Sequence, residues 1–242
     1  MRYNRNASCS LCSNLCFSSM TVSQFDSPDP EPGYQVYSRR TLSWYDTIVH
    51  RFSNRWLWNC PTENLKQWFD RHVSSNHLDV GVGTGYFLKQ STKLVPGCRL
   101  GLLDANPNCL EAAASRVAEL KPEVFQANLA ESFAERFDPY ESLSLMYVLH
   151  CLPGAIPFRR RVLQHCVASV IPGGRLFGAT ILGQPQPMGW WGRLAMEKYN
   201  RKGIFGNLND TLDRMQEVLS ESLADVQTEQ IGSVVLFAGV RP

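Results

Sequence analysis

The stretch HLDVGVGTGYF, residues 77–87, decides the fold of this chain. Its first half, up to Val80, has the short apolar pattern of a buried strand, and three alternating glycines follow. Glycine lets the backbone turn sharply and approach a ligand with no side chain in the way. The spacing is G-x-G-x-G, whereas the dinucleotide fingerprint is G-x-G-x-x-G, and Tyr86 occupies the position of its third glycine. The loop is not a Walker loop either, so it predicts a different ligand-binding turn; an ordinary strand-to-helix turn is the alternative.

Asp104 is the second feature that points to a ligand site. It ends the next apolar strand, which begins at Arg99, and it lies 19 residues after Gly85. In open α/β sheets, ligands bind beyond the carboxyl ends of the strands, near the point where the strand order reverses. A carboxylate there can accept both hydrogens of a vicinal ribose diol. The alternative is that Asp104 caps the helix that begins near Pro107.

The rest of the chain alternates between apolar strands and helical patterns, which predicts parallel β-α-β units. The predicted strands are residues 78–80, 99–103, 123–126, 142–150, 175–182, 226–231 and 234–240. The predicted helices are residues 42–58, 62–72, 86–93, 107–120, 157–171, 188–199 and 211–223. Only about two residues, at Gly232, join the last two strands, so no crossover fits and one of them must run antiparallel. The sequence therefore predicts an α/β fold whose seven-stranded, mostly parallel sheet ends in an antiparallel hairpin.

The composition is typical of a folded globular chain. The 242 residues include 44% hydrophobic and 19% charged side chains, values that are wrong for a disordered protein. No run approaches ~18 apolar residues, which excludes a spanning helix. The net charge of +2 disfavours nucleic acid as the partner. The eight cysteines are spread over a chain long enough to build its own core, which indicates reduced thiols and a cytoplasmic protein.

The first 33 residues differ from the rest. They are rich in Ser, Asn and Cys, and the segment SPDPEPG at 27–33 forbids regular structure. We expect residues 1–33 to be a disordered tail and residues 34–242 to form one domain; a targeting peptide is the alternative for the tail. Cys9, Cys12 and Cys16 suggest zinc, but a structural zinc needs four ligands and no second Cys or His pair lies at finger spacing.

The motifs resemble those of the class I S-adenosylmethionine-dependent methyltransferases. LDVGVGTGYF (78–87) is similar to the first motif of that family, LLDAN (102–106) to its acidic loop, NLAES (128–132) to its adenine-contacting loop, and IPGGRLFGATIL (171–182) to the segment around its fifth strand. The segments YDTIVHRFSNRWLWNCPT, LHCLPG and NRKGIFGN are similar to a small-molecule subgroup from microbial and fungal secondary metabolism. The resemblance covers about residues 42–242. It implies a Rossmann-like sheet with helices on both faces and a helical cover from 34–72 and 183–223.

The resemblance also implies which residues bind S-adenosylmethionine. Asp79 and the loop that contains Gly81, Gly83 and Gly85 would cradle the amino-acid end of the cofactor. Asp104 would bind the ribose hydroxyls.

Other cofactor contacts would surround the adenine and the sulfonium: Ala105, Asn106, Asn128, Leu129, Tyr147 and Tyr45. The first two would flank the adenine, while Asn128 would face its amino group and Leu129 would offer a backbone contact. Asn128 departs from the family, which commonly has Asp there. Tyr147 would lie beside the sulfonium, and Tyr45 and Trp58 would cover the cofactor, although aromatic residues there are more often core.

Methyl transfer requires few catalytic groups from the protein. The sulfonium leaves without an acid, so the protein must exclude water, align the nucleophile and, for a hydroxyl or amine, remove a proton. His150, after the fourth strand, is the candidate base, because an imidazole near its unperturbed pKa suits proton transfer at neutral pH. A structural role for His150 is the equal alternative. His77 and His165 are expected to be structural or surface residues.

Two further groups lie outside the predicted cofactor site. Trp190 and Trp191 follow the fifth strand and are expected to cover the substrate, with helix packing as the equal alternative. Arg159, Arg160 and Arg161 form a short basic run, which is expected to be a solvated helix face.

Absent motifs narrow the substrate. MYVLH at 146–150 lacks the Asn/Asp-Pro-Pro-Tyr/Phe signature of enzymes that methylate exocyclic amines, and the cysteine nucleophile of cytosine-C5 enzymes is missing. The acidic cluster of metal-dependent catechol enzymes is absent too, so no metal is expected. The sequence predicts a methyltransferase that acts on O, N or C of a small-molecule secondary metabolite, with no nucleic-acid or membrane partner. The alternatives are a cyclase or rearrangement enzyme that retains the cofactor, a nicotinamide oxidoreductase and a binding module.

Overall fold

A computed structural model describes residues 53–153, 156–184 and 188–242. Within these residues the strands are β1 (Asn76–Val80), β2 (Arg99–Asp104), β3 (Glu123–Gln126), β4 (Tyr140–Met146), β5 (Val170–Ile181), β6 (Ala224–Ile231) and β7 (Val234–Val240). The α-helices are α1 (Thr62–His72), α2 (Tyr86–Gln90), α3 (Pro107–Arg116), α4 (Ile156–Ala168), α5 (Trp190–Arg201) and α6 (Leu212–Ser220). Short 3-10 turns occupy Ala118–Leu120, Ala134–Arg136 and Leu149–Cys151. The predicted tail at 1–33, Tyr45 and the predicted helix up to residue 52 lie outside the described residues.

The seven strands form one sheet in the order β3-β2-β1-β4-β5-β7-β6. Strands β1 to β5 pair in parallel, whereas β7 runs antiparallel to both β5 and β6. The turn between β6 and β7 has Gly232 at a φ of 58°, a backbone conformation that favours glycine. The predicted seven-stranded sheet and its antiparallel hairpin are confirmed. Because the chain leaves β1 on one side for β2 and returns on the other side as β4, the carboxyl ends of these strands border the switch point.

Both faces of the sheet are covered, which explains why β4 and β7 are apolar almost throughout. Helices α4 and α6 pack on one face, where Phe158, Val162 and Met215 join a buried cluster with the side chains of β4. Helices α1, α2, α3 and α5 pack on the other face. Helices on both faces were predicted, and this is confirmed. Within the described residues, no helix is long and apolar enough to span a bilayer.

The fourth strand is shorter than the predicted 142–150. It ends at Met146, because Tyr147 adopts a φ of 63° and the chain then enters the 3-10 turn Leu149–Cys151. Val148 and Leu149 are nevertheless buried, so the apolar pattern continues past the end of the strand. Residues after the end of the strand are therefore buried as well, and the apolar sequence pattern indicates burial rather than strand geometry.

The fifth strand is longer than the predicted 175–182. It begins at Val170 and includes Pro172-Gly173-Gly174, which was predicted to end the preceding helix and precede the strand. The backbone N–H of Gly173 donates to the carbonyl of Arg241 at 2.9 Å, so the segment pairs with the C-terminal end of the chain. A register shift in the β4–β5 pairing accommodates the irregular backbone.

Every predicted helix except Thr62–His72 differs from the structure at one or both ends. The helices predicted over 157–171, 188–199 and 211–223 span Ile156–Ala168, Trp190–Arg201 and Leu212–Ser220. The first helix, predicted over 42–58, has only a π-helical turn at 53–57 within the described residues. Helix α2 ends at Gln90 rather than near 93, and helix α3 ends at Arg116 before the separate turn Ala118–Leu120. Helix ends lack intrahelical partners and are the part of a helix that sequence patterns define least.

The prediction that Arg159, Arg160 and Arg161 form a solvated helix face is wrong for Arg159. Its side chain is buried, forms an ion pair with Asp210 and donates through Nη2 to the carbonyl of Gly206. Arg160 is partly exposed and pairs with Glu221, as a residue on a helix surface does. Arg159 thus connects helix α4 to the segment between α5 and α6.

Candidate functional site

The glycine loop follows β1 directly and turns the chain toward α2. Gly81, Gly83 and Gly85 have φ values of 69°, 53° and 69°. A Cβ atom on Gly81 would lie 2.5 Å from Cγ2 of Val148, so this position has no room for a side chain. A Cβ atom on Gly83 would meet nothing within 4 Å, so the backbone faces open space there. The loop therefore presents bare backbone to a ligand at Gly83 and packs tightly against the turn after β4 at Gly81.

Asp104 is tied to this loop by a hydrogen bond. Its Oδ2 atom accepts from the backbone N–H of Gly83 at 3.2 Å, and its Oδ1 atom accepts from the backbone N–H of Asn106 at 2.9 Å. Burial raises the pKa of Asp104, and these backbone hydrogen bonds oppose that effect. The helix cap is Asn106 instead, whose side chain accepts from the N–H of Asn108. The alternative that Asp104 caps helix α3 is therefore wrong.

Asp79 lies one residue before the end of β1, and its side chain is buried. The hydroxyl of Ser144, on the adjacent β4, donates to its Oδ1 atom. Burial is the main cause that raises the pKa of Asp79 to about 7, and the nearby carboxylate of Asp104 raises it further. The hydrogen bond from Ser144 acts in the opposite direction. Two carboxyl groups, one deeply buried, thus border the glycine loop.

The segments after β2 and β3 meet at the same edge of the sheet. The backbone N–H of Ala127 donates to the carbonyl of Asp104, and the side chain of Gln126 donates to the carbonyl of Ala105. Asn128 accepts through Oδ1 from the N–H of Ala130 at 3.0 Å, which closes a tight turn. His165, on α4, donates through Nδ1 to the carbonyl of Leu129 at 3.2 Å. The structure thereby brings the predicted adenine-contacting segments next to Asp104.

Tyr147 occupies the turn directly after β4. Its hydroxyl donates to Oδ1 of Asn54 at 3.0 Å, which joins this turn to the π-helical turn at 53–57. Its ring centroid lies 5.6 Å from that of His150 in an edge-to-face arrangement. Val148, the next residue, is the one that packs against Gly81. Tyr147 and the glycine loop therefore lie on neighbouring strand ends.

His150 is buried and held from several sides. Its Nδ1 atom accepts a long hydrogen bond, 3.4 Å, from the backbone N–H of Ile181, so the neutral ring carries its proton on Nε2. Its backbone carbonyl accepts from the N–H of Gly206 at 2.9 Å. Burial, together with the positive charge of Arg159, lowers the pKa of His150 to about 3. The side chain is therefore neutral at physiological pH.

An aromatic cluster surrounds His150. The ring of Phe205 lies 4.6 Å from the His150 ring, and it also contacts Trp58 at 6.1 Å and Tyr199 at 5.0 Å. Trp58 is buried, whereas Phe205 and Tyr199 are partly exposed. The cluster joins three parts of the chain: the residue after the π turn at 53–57, the turn after β4, and the end of α5 with the segment that follows it. Such a surface can hold an apolar or aromatic molecule and keep water away from it.

Trp190 and Trp191 lie at the start of α5, away from its buried face. Their rings stack with centroids 3.5 Å apart, and each side chain is 61% exposed. The buried residues of this helix are Gly192 and Met196. The alternative that the two tryptophans pack in the core is therefore wrong, and their role as a substrate cover stays a prediction.

Several side chains at this edge were missed at the level of sequence. Asn54, Ser144 and Phe205 contact the predicted residues directly, although none was named as a candidate. Asn54 lies in YDTIVHRFSNRWLWNCPT and Phe205 in NRKGIFGN, two segments whose resemblance could have drawn attention to them. Within the described residues, no group of three or more His, Cys, Asp or Glu side chains is arranged to hold a metal ion.

Comparisons with known proteins agree with this geometry. A family model described as a methyltransferase domain matches residues 78–176. The chain is 33% identical over 205 residues to demethylluteothin O-methyltransferase of Streptomyces thioluteus, which covers 85% of this chain and 89% of that enzyme. It is 34% identical over 243 residues to O-methyltransferase NEC2 of Pyricularia oryzae, with 86% of this chain and 91% of that protein covered.

A solved structure supports the fold. An O-methyltransferase family protein from Burkholderia thailandensis superposes with a TM-score of 0.59 at 21% identity. The alignment covers 85% of this chain, which spans 61% of the length of that protein. At this identity the likeness concerns the arrangement of helices and strands alone.

Proposed function

Because the chain belongs to the class I S-adenosylmethionine-dependent methyltransferases, in the small-molecule group of secondary metabolism, we propose that it methylates a small metabolite. The proposed acceptor is a hydroxyl oxygen of an apolar or aromatic compound, and the proposed reaction needs no metal. The relatives named above are O-methyltransferases, which favours oxygen over the nitrogen and carbon acceptors. The aromatic cluster around His150 favours an apolar ring system as the substrate.

One observation carries the proposal: the hydrogen bond from Gly83 to Asp104 joins a bare backbone turn to a carboxylate at the switch point. The open space at Gly83 fits a cofactor that must approach the backbone closely. We assign the ribose hydroxyls to Asp104, because a carboxylate oxygen that accepts one N–H retains a lone pair for a hydroxyl. We assign the amino-acid end of the cofactor to Asp79 and the loop from Gly81 to Gly85.

The adenine site is proposed on the segments after β2 and β3. Ala105 and Asn106 would flank the ring, and Leu129 would offer a backbone contact. Asn128 would face the amino group of the adenine: its Oδ1 accepts from Ala130 and retains a second lone pair for that group. Tyr147 would lie beside the sulfonium, and Tyr45, outside the described residues, is proposed to cover the cofactor.

When bound, S-adenosylmethionine supplies an electrophilic methyl group on a sulfonium. The chain must hold the acceptor oxygen in line with that methyl group and exclude water. We assign both tasks to the cluster of Tyr147, His150, Phe205 and Tyr199, whose rings contact one another. Trp190 and Trp191 are proposed to complete the cover above it.

His150 remains the candidate base, with a constraint from its surroundings. A group with a pKa of about 3 accepts a proton weakly at neutral pH, and Nδ1 already accepts from Ile181. We therefore propose that most of the rate comes from alignment of the acceptor oxygen with the methyl group. His150 acts as a base only if a bound substrate changes the surroundings of its ring. A phenol, which is more acidic than an alcohol, is the acceptor that demands least of a base.

Calorimetric titration with S-adenosylmethionine and S-adenosylhomocysteine tests the cofactor site. We expect the unmodified protein to bind both, and Asp104→Ala to lose at least about tenfold in affinity, since it loses the acceptor for the ribose. Glu135→Ala, at an exposed 3-10 turn, is the matched control and should bind as the unmodified protein does. No binding by the unmodified protein, or unchanged binding by Asp104→Ala, would contradict the proposal.

The transfer reaction is tested by the mass of the product. The protein is incubated with labelled cofactor and a metabolite extract from its own organism, and each metabolite that the protein converts is isolated, with or without label. A product heavier than its precursor by one CH₂ unit supports methyl transfer. A product of unchanged mass would indicate a cyclase or rearrangement enzyme that only retains the cofactor.

A further inference from the structure

A line of buried polar side chains leads through the sheet to Asp79. His77 and Asp79 lie on the same face of β1, and they are opposite Ser142 and Ser144 of the parallel strand β4. His77 contacts the hydroxyl of Ser142 through Nδ1 at 2.8 Å and the hydroxyl of Ser144 through Nε2 at 3.0 Å. Ser144 in turn contacts Oδ1 of Asp79. All four side chains are buried.

The direction of each hydrogen bond follows from the acceptor at the end. When Asp79 is ionised its oxygens can only accept, so Ser144 donates its hydroxyl proton to Asp79 and accepts from Nε2–H of His77. His77 is then the Nε2–H tautomer, and its Nδ1 accepts from the hydroxyl of Ser142. Ser142 accepts from the backbone N–H of Ser74 at 2.9 Å. The hydroxyl of Ser142 also lies 3.1 Å from that of Ser74, which donates to the carbonyl of Asn76. From Ser142 onward, each donor points toward Asp79.

The surroundings of His77 are those of a core residue. Its ring packs edge-on against Phe69 of α1 at 5.5 Å and lies nearly parallel to Phe177 of β5 at 5.7 Å. Burial lowers the pKa of His77 to about 3, so the ring is neutral and serves as a dipole. An apolar side chain of similar volume would fill this place without the need for two hydroxyl partners. What distinguishes the imidazole from such a side chain is its two hydrogen bonds, and one of them leads through Ser144 to Asp79.

We propose that His77 and Ser144 are positioning residues, which hold the carboxylate of Asp79 in its ionised form and in one orientation for the ammonium group of the cofactor. The proposal rests on the assignment of Asp79 to the amino-acid end of S-adenosylmethionine. His77 orients the hydroxyl of Ser144, and Ser144 donates to Asp79, so the line favours the charged carboxylate. The role of His77 is thus indirect, and the ring itself does not contact the cofactor.

The charged groups around Asp79 are few within the described residues. Asp104, on β2, opposes ionisation of Asp79 because the two carboxylates repel each other. The strand β1 presents the neutral ring of His77, and β4 presents the hydroxyl of Ser144. The hydrogen bond from Ser144 is therefore the interaction that works against burial and against Asp104. An ammonium group bound beside Asp79 would favour its ionisation in the same direction.

The test is the pH dependence of S-adenosylhomocysteine binding, measured by calorimetry between about pH 5 and pH 9. The dissociation constant should rise as pH falls through the pKa of Asp79, because the protonated carboxyl no longer attracts an ammonium group. In Ser144→Ala the midpoint of this rise should move up by roughly one pH unit, which weakens binding by about tenfold below the midpoint. Ser144→Thr keeps the hydroxyl and should leave the midpoint unchanged.

Methylthioadenosine separates this role from a merely structural one. It retains the adenosine but has neither the amino nor the carboxyl group, so its binding should be insensitive to the Ser144→Ala change. Equal losses of affinity for both ligands would overturn the proposal, since they would indicate a general distortion of the site. An unchanged midpoint in Ser144→Ala would overturn it as well.

Ser144→Cys provides a second variant if the alanine variant does not fold. A thiol occupies the same position as the hydroxyl and is a weaker donor, so the midpoint should move up relative to the unmodified protein. A midpoint that stays with the unmodified protein would overturn the proposal. The failure of the proposed function is distinguishable, because the unmodified protein would then bind neither S-adenosylhomocysteine nor methylthioadenosine at any pH.

Discussion

The hydroxyl of Tyr147 donates to Oδ1 of Asn54 across 93 positions of sequence, at a distance of 3.0 Å. This contact joins the turn after β4, at the centre of the candidate site, to the first residues that the structure describes. Asn54 is fully buried, and its side-chain nitrogen donates to the hydroxyl of Thr62 at the start of α1. The phenol thus serves as an anchor for the N-terminal turn.

A double-mutant cycle of Tyr147→Phe and Asn54→Ala tests this anchor. Each single change should lower the free energy of unfolding by about 1–2 kcal/mol, and the coupling between them should be about 1 kcal/mol, as measured by urea unfolding. Because Tyr147→Phe keeps the ring, kcat should fall by less than about tenfold. A far larger loss of kcat with unchanged stability would instead make the phenol a catalytic acid or base.

Alanine at two glycines of the loop should have different consequences. Gly81→Ala places Cβ against Val148 and should cost about 2–4 kcal/mol of unfolding free energy. Gly83→Ala has free space and pays only for its positive φ, about 1 kcal/mol, while its methyl group enters the open ligand space and weakens cofactor binding. Thermal unfolding and calorimetry check the two effects. If Val148→Ala did not partly restore the stability of Gly81→Ala, the packing argument would be wrong.

The buried ion pair between Arg159 and Asp210 should be essential for stability. Arg159→Met leaves the carboxylate of Asp210 buried without its cation and should cost about 3–5 kcal/mol in chemical denaturation. Arg160→Met, the neighbour on the same helix, is the matched control and should change stability by less than about 1 kcal/mol, since its pair is partly exposed. Equal effects of the two changes would contradict the burial of Arg159.

Three buried histidines should make the fold sensitive to acid. Burial lowers the pKa of His72 to about 4 and those of His77 and His150 to about 3. Since each folded-state pKa lies below the unfolded value, the stabilising contribution is present above about pH 6.5 and is lost as pH falls toward 3. The melting temperature should therefore fall between pH 6.5 and 4. In His150→Gln this fall should be shallower; an identical slope would exclude His150 as a contributor.

Asp79 has the opposite linkage. Its folded-state pKa of about 7 exceeds the unfolded value, so the protonated form is favoured by folding and its contribution is lost as pH rises from about 4 through 7. Asp79→Asn keeps an acceptor for Ser144 and carries no charge. We expect it to stabilise the cofactor-free protein at pH 8 by on the order of 2 kcal/mol and to weaken S-adenosylhomocysteine binding. The stabilisation should vanish near pH 4, and differential scanning calorimetry at both pH values measures it.

Local sequence patterns were sufficient for most of the architecture. The helix at Thr62–His72 and the strand at Glu123–Gln126 have the predicted bounds, because Pro61 and the turn residues that flank these elements act within a few positions. The hairpin at Gly232 was predictable for the same reason, since two connecting residues leave no room for a crossover. The end of β4 was not, because Val148 and Leu149 are buried in a turn and carry the same apolar signal as a strand.

The sequence by itself determined the sheet, the glycine loop and the acid at the end of β2, because alternation, glycine spacing and strand length are local properties. Only the tertiary structure decided which groups meet: the backbone N–H of Gly83 with Asp104, and the side chains of Tyr147 with Asn54 and of His77 with Ser144. It also decided that Arg159 is buried while Arg160 is partly exposed, and that Trp190 and Trp191 stay outside the core. These outcomes depend on the register and packing of elements far apart in the chain, and no local pattern encodes that information.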